Sequence, residues 1–429
     1  MKILRELVRR NRSGSGEALA SVFSAHPDVI SASLLLAKAH DTGLLVEATS
    51  NQVNQFGGYT GMTPPAFVRF VHELADRHGV ERERVAFGGD HLGPQAWRDQ
   101  PAPIAMARAL AMVEDYARAG YEKIHLDCSE GCAGEPAQLG DDLSASRAAE
   151  LAQACEAAAP VGRLSYIFGT EVPPPGGTRV QDAGVALSPT SAASARATIA
   201  AHEAAFLKRN LGEAWERAVG LVVQPGLEFG PDSIDRFPLD SPDTLSEVLS
   251  MRPCLAFEAH STDYQTPKTF PALAKRHFAV LKVGPALTFA YREALYALDG
   301  IAAWVVPGAA PHTLPQTMDR LMLAEPALWA KHYQGDVVRL RILRHFSYAD
   351  RIRYYWAGPE ATAATSRLRA SLATADLPQP LLRQYFAEET LARSDALRSR
   401  CGQTDALIYA RIQEALEPYF ACAPAARSL

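Results

Sequence analysis

An acid and an imidazole stand next to each other in the stretch FGGDHLGP, residues 87 to 94, as Asp90 and His91. The pair follows a short apolar stretch and is enclosed by glycines and a proline. Adjacent side chains on an extended strand point to opposite faces. If the strand ends at Gly89, the pair lies where a strand opens into a loop, which is the usual place for catalytic groups in an α/β protein.

Polar residues also close nearly every other apolar run of the chain. They are Glu47, Asp127, Glu171, Gln224, His260 and Lys282. Chance capping does not concentrate acids and histidines at the same end of successive strands, so we interpret the set as an active site. In a barrel of parallel strands these ends share one face, and that face carries active sites. We predict catalytic roles for Asp90, Asp127 and Glu47.

A bound metal explains this set of residue types. The imidazoles of His91 and His260 with the carboxylate of Glu171 form a two-His, one-carboxylate group. Such a group suits zinc, manganese, cobalt or iron(II) and leaves positions open for a substrate. The sequence leaves a metal-free hydrogen-bonded cluster as the alternative. His125, deeper in its strand, is interpreted as a hydrogen-bonded core histidine. The alternatives for a fourth ligand are Asp127, Glu228 and Glu258.

Further polar residues are predicted to bind the substrate. They are Asn51, Gln52, Gln224, Ser261, Asp263, Lys282 and Arg353. Arg353 lies in DRIRYYW, residues 350 to 356, which fits either an anion-binding segment over the barrel mouth or an interhelical salt bridge with core packing. Glycine runs at 57 to 58, 176 to 178 and 284 to 286 are weak candidates for phosphate loops, because none forms a nucleotide-binding motif. A kinase is therefore not expected.

Eight short apolar runs alternate with helical patterns over roughly the first 300 residues. The runs are residues 18–26, 43–50, 84–91, 122–129, 164–171, 218–225, 254–261 and 279–286. Residues 64–79 and 103–120 have the apolar spacing of helices, and the second stretch ends in glycine. This alternation predicts an α/β protein built as a (β/α)8 TIM barrel.

The C-terminal part of the chain has a different pattern. From about Gly300 onward β-branched runs become rare, and residues 316–334 and 404–420 have amphipathic helical spacing. We therefore predict two regions. A TIM barrel, residues 1–300, carries the metal and substrate site, and a helical C-terminal extension, residues 301–429, packs on the barrel.

Composition excludes several classes of protein. The formal net charge of −5 and the pI near 6.2 provide no broad positive field for nucleic acid or an anionic membrane. No apolar run reaches the roughly 18 residues of a transmembrane helix, and the N-terminus lacks a secretory pattern. Six cysteines in 429 residues are too sparse for a disulfide scaffold. We expect a cytoplasmic globular protein with reduced thiols that binds neither nucleic acid nor membrane.

Seven motifs carry a family resemblance. They are VEATSNQVNQFGGYTGMTP at 46–64, GGDHLGP at 88–94, KIHLDCS at 123–129, GTEVPPPGG at 169–177, EAHSTDYQT at 258–266, LKVGPALTFAYREA at 281–294 and DRIRYYW at 350–356. Together they resemble the Z-type subunit of D-tagatose-1,6-bisphosphate aldolase, the GatZ/KbaZ family, which is related to class II aldolases. The similarity extends from SAHP near the start to the C-terminal helices.

The resemblance implies a metal-dependent TIM barrel that acts in galactitol, tagatose or amino-sugar catabolism. In class II aldolases an Asp-His pair closes a barrel strand, with the histidine on zinc and the aspartate moving the proton of the substrate hydroxyl. Asp90 and His91 match that pair, and Glu171 and His260 match the later ligands in order. The sequence departs from the catalytic chains because their three ligand histidines and glycine-rich phosphate loops are not recognisable in it.

The resemblance leads to two hypotheses for function. The first is a Z-type subunit, described as non-catalytic in the resembled aldolase, which supports a separate catalytic chain. The alternative is a divalent-metal-dependent 4-epimerase of a ketohexose or ketohexose phosphate that breaks and re-forms the C3–C4 bond. Asp90 would then take the C4 hydroxyl proton, and Lys282 or Arg353 would hold the distant hydroxyl or phosphate. The identities of the sugar and of the metal stay open, with zinc favoured as the metal. The formation of a homo-oligomer also stays open.

Overall fold

Eight parallel strands close into a barrel in this computed structural model, which describes residues 2–170 and 187–424. The barrel strands, in spatial order, are β1 (Leu19–Val22), β2 (Leu44–Thr49), β3 (Val85–Leu92), β4 (Lys123–Leu126), β5 (Ser165–Phe168), β6 (Ala218–Val222), β9 (Ala256–Ala259) and β10 (Phe278–Val283). A hairpin of β7 (Glu228–Phe229) and β8 (Ile234–Asp235) separates β6 from β9 in the chain. Each barrel strand overlaps one predicted run, so the predicted TIM barrel is confirmed.

Helices surround the barrel and make up most of the C-terminal region. They are α1 (Lys2–Arg12), α2 (Pro27–Ala39), α3 (Pro64–Arg77), α4 (Ala102–Ala119), α5 (Asp141–Ala158), α6 (Ala192–Lys208), α7 (Gly212–Trp215), α8 (Thr269–Lys275), α9 (Pro285–Val305), α10 (Thr313–Ala324), α11 (Val337–Phe346), α12 (Pro359–Leu372), α13 (Gln379–Leu382), α14 (Glu388–Cys401) and α15 (Gln403–Leu416). Proline begins α2, α3 and α9, where its missing N–H costs no helical hydrogen bond. None of the described helices has the length and apolarity needed to cross a membrane.

The helix predicted at 316–334 is shorter in the structure. α10 ends at Ala324, and two short 3₁₀ helices follow it at Pro326–Leu328 and Ala330–His332. Proline disfavours helical backbone at the residue before it. Glu325 accordingly has φ of −129° and ψ of 71°, so the α-helix cannot continue through this position.

The first helix closes the amino-terminal end of the barrel. Leu4, Leu7 and Val8 of α1 pack against apolar side chains that face into the barrel near the starts of its strands, among them Leu19 and Leu45. All of these residues are at most 4% exposed. The interior is therefore apolar and sealed at this end, and a polar site has room only toward the carboxyl ends of the strands.

The C-terminal helices pack on the outside of the barrel. Arg411 of α15 pairs with Glu293 of α9 at 2.6 Å, and Gln413 of α15 donates to a carbonyl of α2 at 3.0 Å. The division predicted at residue 300 is not marked by a break, because α9 passes through that position. The barrel and the helical region are thus joined by a continuous helix.

Arg369 of α12 connects this region to the barrel. Its guanidinium lies 2.7 Å from Asp28 at the start of α2 and 2.7 Å from Asp405 of α15. We expect Arg369→Gln to lower the free energy of unfolding by about 2 kcal/mol, because two partly buried carboxylates lose their shared counter-ion. Chemical denaturation measures the loss.

A matched control is Arg320→Gln. Arg320 pairs with Glu360 of α12, but both side chains are 59% exposed. Removing an exposed ion pair should change the free energy of unfolding very little, because solvent screens the two charges. Equal losses for the two variants would show that Arg369 contributes no more than a surface pair.

Candidate active site

Four buried charges form a layer inside the barrel, here called the charge layer. Its members, each at most 1% exposed, are Glu47 of β2, Lys123 of β4, Glu258 of β9 and Lys282 of β10. Lys123 Nζ lies 2.5 Å from Glu47 Oε1 and 2.8 Å from Glu258 Oε2. Lys282 Nζ lies 2.6 Å from Glu47 Oε2 and also pairs with Asp90. Within the layer each lysine thus lies against carboxylates, which offsets part of the cost of burying these charges.

The ionisation of the charge layer follows from these contacts. Burial would lower the pKa of Lys282, but Asp90 and Glu47 raise it above its usual value, so the amine stays charged. Burial would raise the pKa of Glu258, but Lys123 and Lys282 bring it well below the usual range. Glu47, predicted to be catalytic, and Lys282, predicted to bind substrate, are therefore both engaged in ion pairs below the site.

Glycines in FGGDHLGP make room for neighbouring strands. Gly88 pairs in register with Glu47, and a Cβ at Gly88 would lie 2.6 Å from Glu47 Oε1. A Cβ at Gly93 would lie 1.8 Å from the carbonyl oxygen of Asp127. A larger residue at Gly88 would displace Glu47 of the charge layer, and a larger residue at Gly93 would displace the backbone at the end of β4.

Three imidazoles form the next layer toward the carboxyl end, here called the imidazole cluster. The ring centroids of His91 and His260 are 5.0 Å apart, and that of His125 is 5.1 Å from the first and 5.2 Å from the second. His125 is buried and hydrogen-bonded, as predicted, but its place beside the other two rings was not predicted. The sequence pattern that could have predicted this place is the alternation along β4, which puts Lys123, His125 and Asp127 on the inward face.

The backbone at His91 lets two adjacent residues face the same site. β3 continues to Leu92, so the strand does not end at Gly89, which was one of the cases considered from the sequence. His91 has φ of 46°, in the left-handed region that few residues other than glycine adopt. Its Nε2 lies 3.7 Å from Asp90 Oδ2, so both side chains reach the interior. Strained backbone of this kind is concentrated at functional sites.

Carboxylates orient two of the three rings. His91 Nδ1 donates to Asp127 Oδ2 at 2.7 Å, and Ser129 Oγ donates to Asp127 Oδ1 at 2.6 Å. His260 Nε2 donates to Glu258 Oε1 at 2.9 Å. In its neutral form, each ring is then left with a lone pair on its other nitrogen. Asp127, predicted to be catalytic, acts here on the orientation of His91.

The third ring leaves an unbonded nitrogen in the interior. His125 Nδ1 lies 3.0 Å from Asp90 Oδ1 and 3.2 Å from the backbone nitrogen of His91. One ring nitrogen cannot both donate and accept, and we assign its proton to the bond with the ionised carboxylate. Among the described residues, neither His125 Nε2 nor Asp90 Oδ2 has a hydrogen-bond partner, although both atoms are buried.

Neighbouring charges set the protonation of the site. Burial would raise the pKa of Asp90, but His91 and Lys282 lower it well below the usual range, so this carboxyl is ionised at neutral pH. Burial lowers the pKa of His260 to about 3, so this ring is neutral. Burial opposes protonation of His91, but Asp90 and Asp127 raise its pKa overall.

Four side chains present ligand atoms close enough to hold one metal ion. Within 4.8 Å of one another lie ligand atoms of Asp90, His125, Glu258 and His260. Imidazole and carboxylate ligands suit zinc, manganese, cobalt and iron(II), and the unbonded Asp90 Oδ2 and His125 Nε2 fit this use. Of the predicted ligands, His260 is in this group, His91 lies beside it, and Glu171 lies outside the described residues.

A cavity of about 540 Å³ lies at the mouth of the barrel. Its walls come from the ends of β1, β2 and β10 and from the C-terminal region. The predicted substrate-binding residues in these walls are Asn51, Gln52 and Arg353. Thr49, also in the wall, pairs in register with Asp90. The ring of Phe23, another wall residue, has its centroid 5.6 Å from Lys282 Nζ. Thr49 and Phe23 thus stand between the cavity and the polar layers, whose described residues do not line it.

The candidate phosphate loops are not free to bind an anion where the structure describes them. Asp263 Oδ1 accepts from the backbone N–H groups of Gly284 at 3.0 Å and Ala286 at 2.8 Å, at the start of α9. Gly58 N donates to Asn54 Oδ1 at 3.2 Å. The run at 176–178 lies outside the described residues. Asp263, predicted to bind substrate, holds the start of this helix through these two bonds.

Glu228, Ser261 and Gln224 order the loops after β6 and β9. Gln224 Oε1 accepts from the backbone N–H of Gly226 at 2.9 Å. Glu228 Oε1 accepts from the N–H of Phe229 at 3.0 Å, and its carboxylate is also hydrogen-bonded to Ser261. These contacts make Gln224 and Ser261 loop-ordering residues. Despite these bonds, burial raises the pKa of Glu228 to about 7.

The raised pKa of Glu228 predicts pH-dependent stability. The folded chain binds this proton more tightly than the unfolded chain, whose glutamates titrate near about 4.3. The linked stabilisation is therefore complete below that pH and is lost as the pH rises through about 7. When the pH rises from 4.5 to 8, the free energy of unfolding should fall by about 3 kcal/mol more in the unaltered protein than in the Glu228→Gln variant. Chemical denaturation across this pH range checks the difference.

The control for this prediction is Glu73→Gln, at an exposed position of α3. Its unfolding free energy should follow the same pH profile as the unaltered protein. A Glu228→Gln profile parallel to both would contradict the assignment of the titration to Glu228.

Nearly the whole chain is similar to known proteins. Residues 4–424 match the family described as D-tagatose-1,6-bisphosphate aldolase subunit GatZ/KbaZ-like. A protein of Agrobacterium fabrum named D-tagatose 6-phosphate 4-epimerase is 49% identical over 393 residues, which are 91% of this chain and 92% of that protein. A crystal structure from Sinorhizobium meliloti, described as a probable tagatose 6 phosphate kinase, is 45% identical with a TM-score of 0.85, over 95% of this chain and 100% of that one. The chain therefore belongs to the GatZ/KbaZ-like family of D-tagatose-1,6-bisphosphate aldolase subunits, as its motifs predicted.

Proposed function

We propose that this chain is a divalent-metal-dependent 4-epimerase of phosphorylated ketohexoses that breaks and re-forms the C3–C4 bond. The observation that carries the proposal is the convergence of the imidazole cluster with ionised Asp90 at the carboxyl end of the barrel strands. Buried polar atoms without partners destabilise a fold, so they are expected where chemistry uses them. The name of the relative at 49% identity supports this function.

The metal would be held by His125, His260 and Glu258, with His91 next to them. A bound divalent cation supplies Lewis-acid stabilisation of negative charge on the sugar oxygens. A two-His, one-carboxylate group needs three of the four residues that meet here, so Asp90 remains for proton transfer. Zinc is the first metal to test, and manganese, cobalt and iron(II) are the alternatives.

Asp90 acts as the general base when the C3–C4 bond breaks. Its ionised carboxylate takes the proton of the C4 hydroxyl, and the electrons of the broken bond move through C3 and C2 onto the carbonyl oxygen. The products are a three-carbon enediolate and an aldehyde whose carbonyl carbon is C4. His91, oriented by Asp127, lies 3.7 Å from Asp90 Oδ2 and limits where that oxygen can move.

Inversion at C4 follows from rotation of the aldehyde. A half-turn about the C4–C5 bond presents the opposite face of the aldehyde to C3. The C3–C4 bond then re-forms, the C2 carbonyl is restored, and protonated Asp90 returns its proton to the C4 oxygen. No atom is gained or lost. Release of the two fragments before this step would instead make the chain an aldolase.

A supporting subunit is the second candidate function. The description of the family as an aldolase subunit favours it. In that case the chain would have little activity alone and would stabilise a separate catalytic chain. A partner chain, a homo-oligomer, a role in galactitol breakdown and a cytoplasmic location remain predictions. We do not propose a kinase, because the described glycine runs engage groups of their own chain.

The first test is turnover by the purified, zinc-loaded chain alone. It should convert D-tagatose 6-phosphate into D-fructose 6-phosphate, the C4 epimer, as followed by NMR. In D₂O the product should carry no deuterium at C4, because breaking the C3–C4 bond leaves the C4–H bond intact. A chelator should abolish turnover, and a divalent cation should restore it.

Three outcomes separate the alternatives. Free triose products in place of the epimer would identify an aldolase. No turnover with metal bound, combined with higher activity of a co-purified catalytic aldolase chain, would identify a supporting subunit. Deuterium at C4 would contradict cleavage of the C3–C4 bond.

The second test replaces the proposed base. Asp90→Asn should lower kcat by roughly 10² to 10⁴, because the amide cannot accept the C4 hydroxyl proton at neutral pH. Metal content, measured by elemental analysis, should stay unchanged. The exposed, similarly substituted Asp76→Asn on α3 should keep full activity. Undiminished turnover would remove Asp90 as the base, and loss of metal would place it among the ligands.

A further inference from the structure

Part of the cavity carries positive charge that the steps above do not use. The cavity continues from the barrel mouth along α2, α3, α12 and α15. Two of its acids, Asp28 and Asp405, are both paired with Arg369 at 2.7 Å. Arg77 lies at the end of α3 that is far from the mouth. The cation that remains near the mouth is Arg353, in the short 3₁₀ helix formed by residues 351–354.

Arg353 is held in position without a direct ion pair, although Asp350 and Asp263 interact with its charge from a greater distance. Its Nη1 donates to the carbonyls of Ala349 at 2.5 Å and Asp350 at 3.1 Å, and its Nη2 donates to Tyr354 OH at 2.9 Å. Within the part of the chain that the structure describes, no carboxylate oxygen lies within 4.0 Å of the guanidinium of Arg353 or Arg351. The salt bridge considered for this segment from the sequence is therefore not formed there.

Tyr354 presents an oriented hydroxyl in the same wall. It accepts from Arg353 Nη2 at 2.9 Å and from Arg351 Nη1 at 3.4 Å, and the two guanidinium carbons lie 4.5 and 4.4 Å from its ring centroid. A hydroxyl that accepts twice has its own hydrogen left to donate. Burial would raise the pKa of Tyr354, but the two arginines lower it overall, which shows the positive potential at this point.

The loop after β2 brings this group close to the proposed base. Tyr59 packs edge-on against Tyr354, with ring centroids 5.0 Å apart, and Asn51 lies exposed in the same cavity wall. Both residues follow Thr49, which pairs in register with Asp90. Arg353, Tyr354 and the loop that follows the strand next to Asp90 therefore border one cavity.

We propose that Arg353, Tyr354 and Asn51 bind the phosphoryl group of a ketose monophosphate. The identity of the sugar rests on the proposed function, whereas binding of the anion does not. A guanidinium and an O–H donor match the geometry and charge of phosphoryl oxygens. The phosphoryl dianion supplies a counter-charge for the two arginines. Its binding holds the phosphorylated end of the sugar away from the imidazole cluster.

The test compares binding of D-fructose 6-phosphate and of unphosphorylated D-fructose to the metal-loaded full chain by calorimetry. Arg353→Gln should weaken binding of the phosphate ester roughly 10- to 100-fold, because a charge-assisted hydrogen bond is lost. Binding of D-fructose should not change. Tyr354→Phe should weaken only the phosphate ester, by roughly tenfold, and it carries the test if Arg353→Gln does not fold. The control is Arg320→Gln on the exposed surface.

Each outcome has a defined meaning. Affinity of Arg353→Gln and Tyr354→Phe for the phosphate ester within twofold of the unaltered chain would overturn the assignment, even if turnover is observed. Equal weakening of both sugars would show a structural role and would also overturn it. Selective weakening in a chain without epimerase activity would support the anion site and reject the proposed function. Tighter binding of the C6 carboxylate analogue, with the same dependence on Arg353, would replace phosphate by carboxylate and overturn the proposal.

Discussion

A layer of four buried, mutually paired charges is the constraint on which the rest of the site depends. Each charge is removed from water and is tolerated only while its partners stay in place. The four groups come from β2, β4, β9 and β10, so their ion pairs connect strands from different sides of the barrel. Lys282 also pairs with Asp90, and this contact helps to keep that carboxyl ionised. The charge layer therefore holds the strands in register and sets the charge of the groups above it.

Given this layer, strand geometry determines where the reactive groups lie. Inward side chains alternate along a strand, so a residue two places after the charge layer lies one step nearer the mouth. His125 follows Lys123 in this way. Asp90 follows Gly88, the position left without a side chain so that Glu47 fits. The imidazole cluster and its carboxylate are therefore the next layer of the same barrel, and their placement does not need a separate loop.

Local patterns in the sequence were sufficient to predict the barrel and to place Asp90 and His91 at a strand end. Both depend on periodicity and residue type within a few positions. Lys123 and Glu258 were not predicted as ion partners, because a lone charge in one strand gives no sign of a counter-ion on a distant strand. His125 has the same sequence context whether it faces apolar side chains or two other imidazoles. Such contacts follow from barrel closure, which brings together residues far apart in the chain.

The C-terminal region contributes a cation that is not directly paired with a carboxylate, and the barrel interior has no such cation among the residues described above. The barrel holds its lysines in pairs with carboxylates, whereas a phosphorylated substrate needs a cation that is not already neutralised. Arg353 meets this need because carbonyl and hydroxyl oxygens orient its guanidinium without cancelling its charge. In our proposal the reacting carbons and the phosphate are thus held by different parts of the chain. Weakening the contacts that Arg369 makes between α2, α12 and α15 would then impair substrate binding while leaving the charge layer and the imidazole cluster intact.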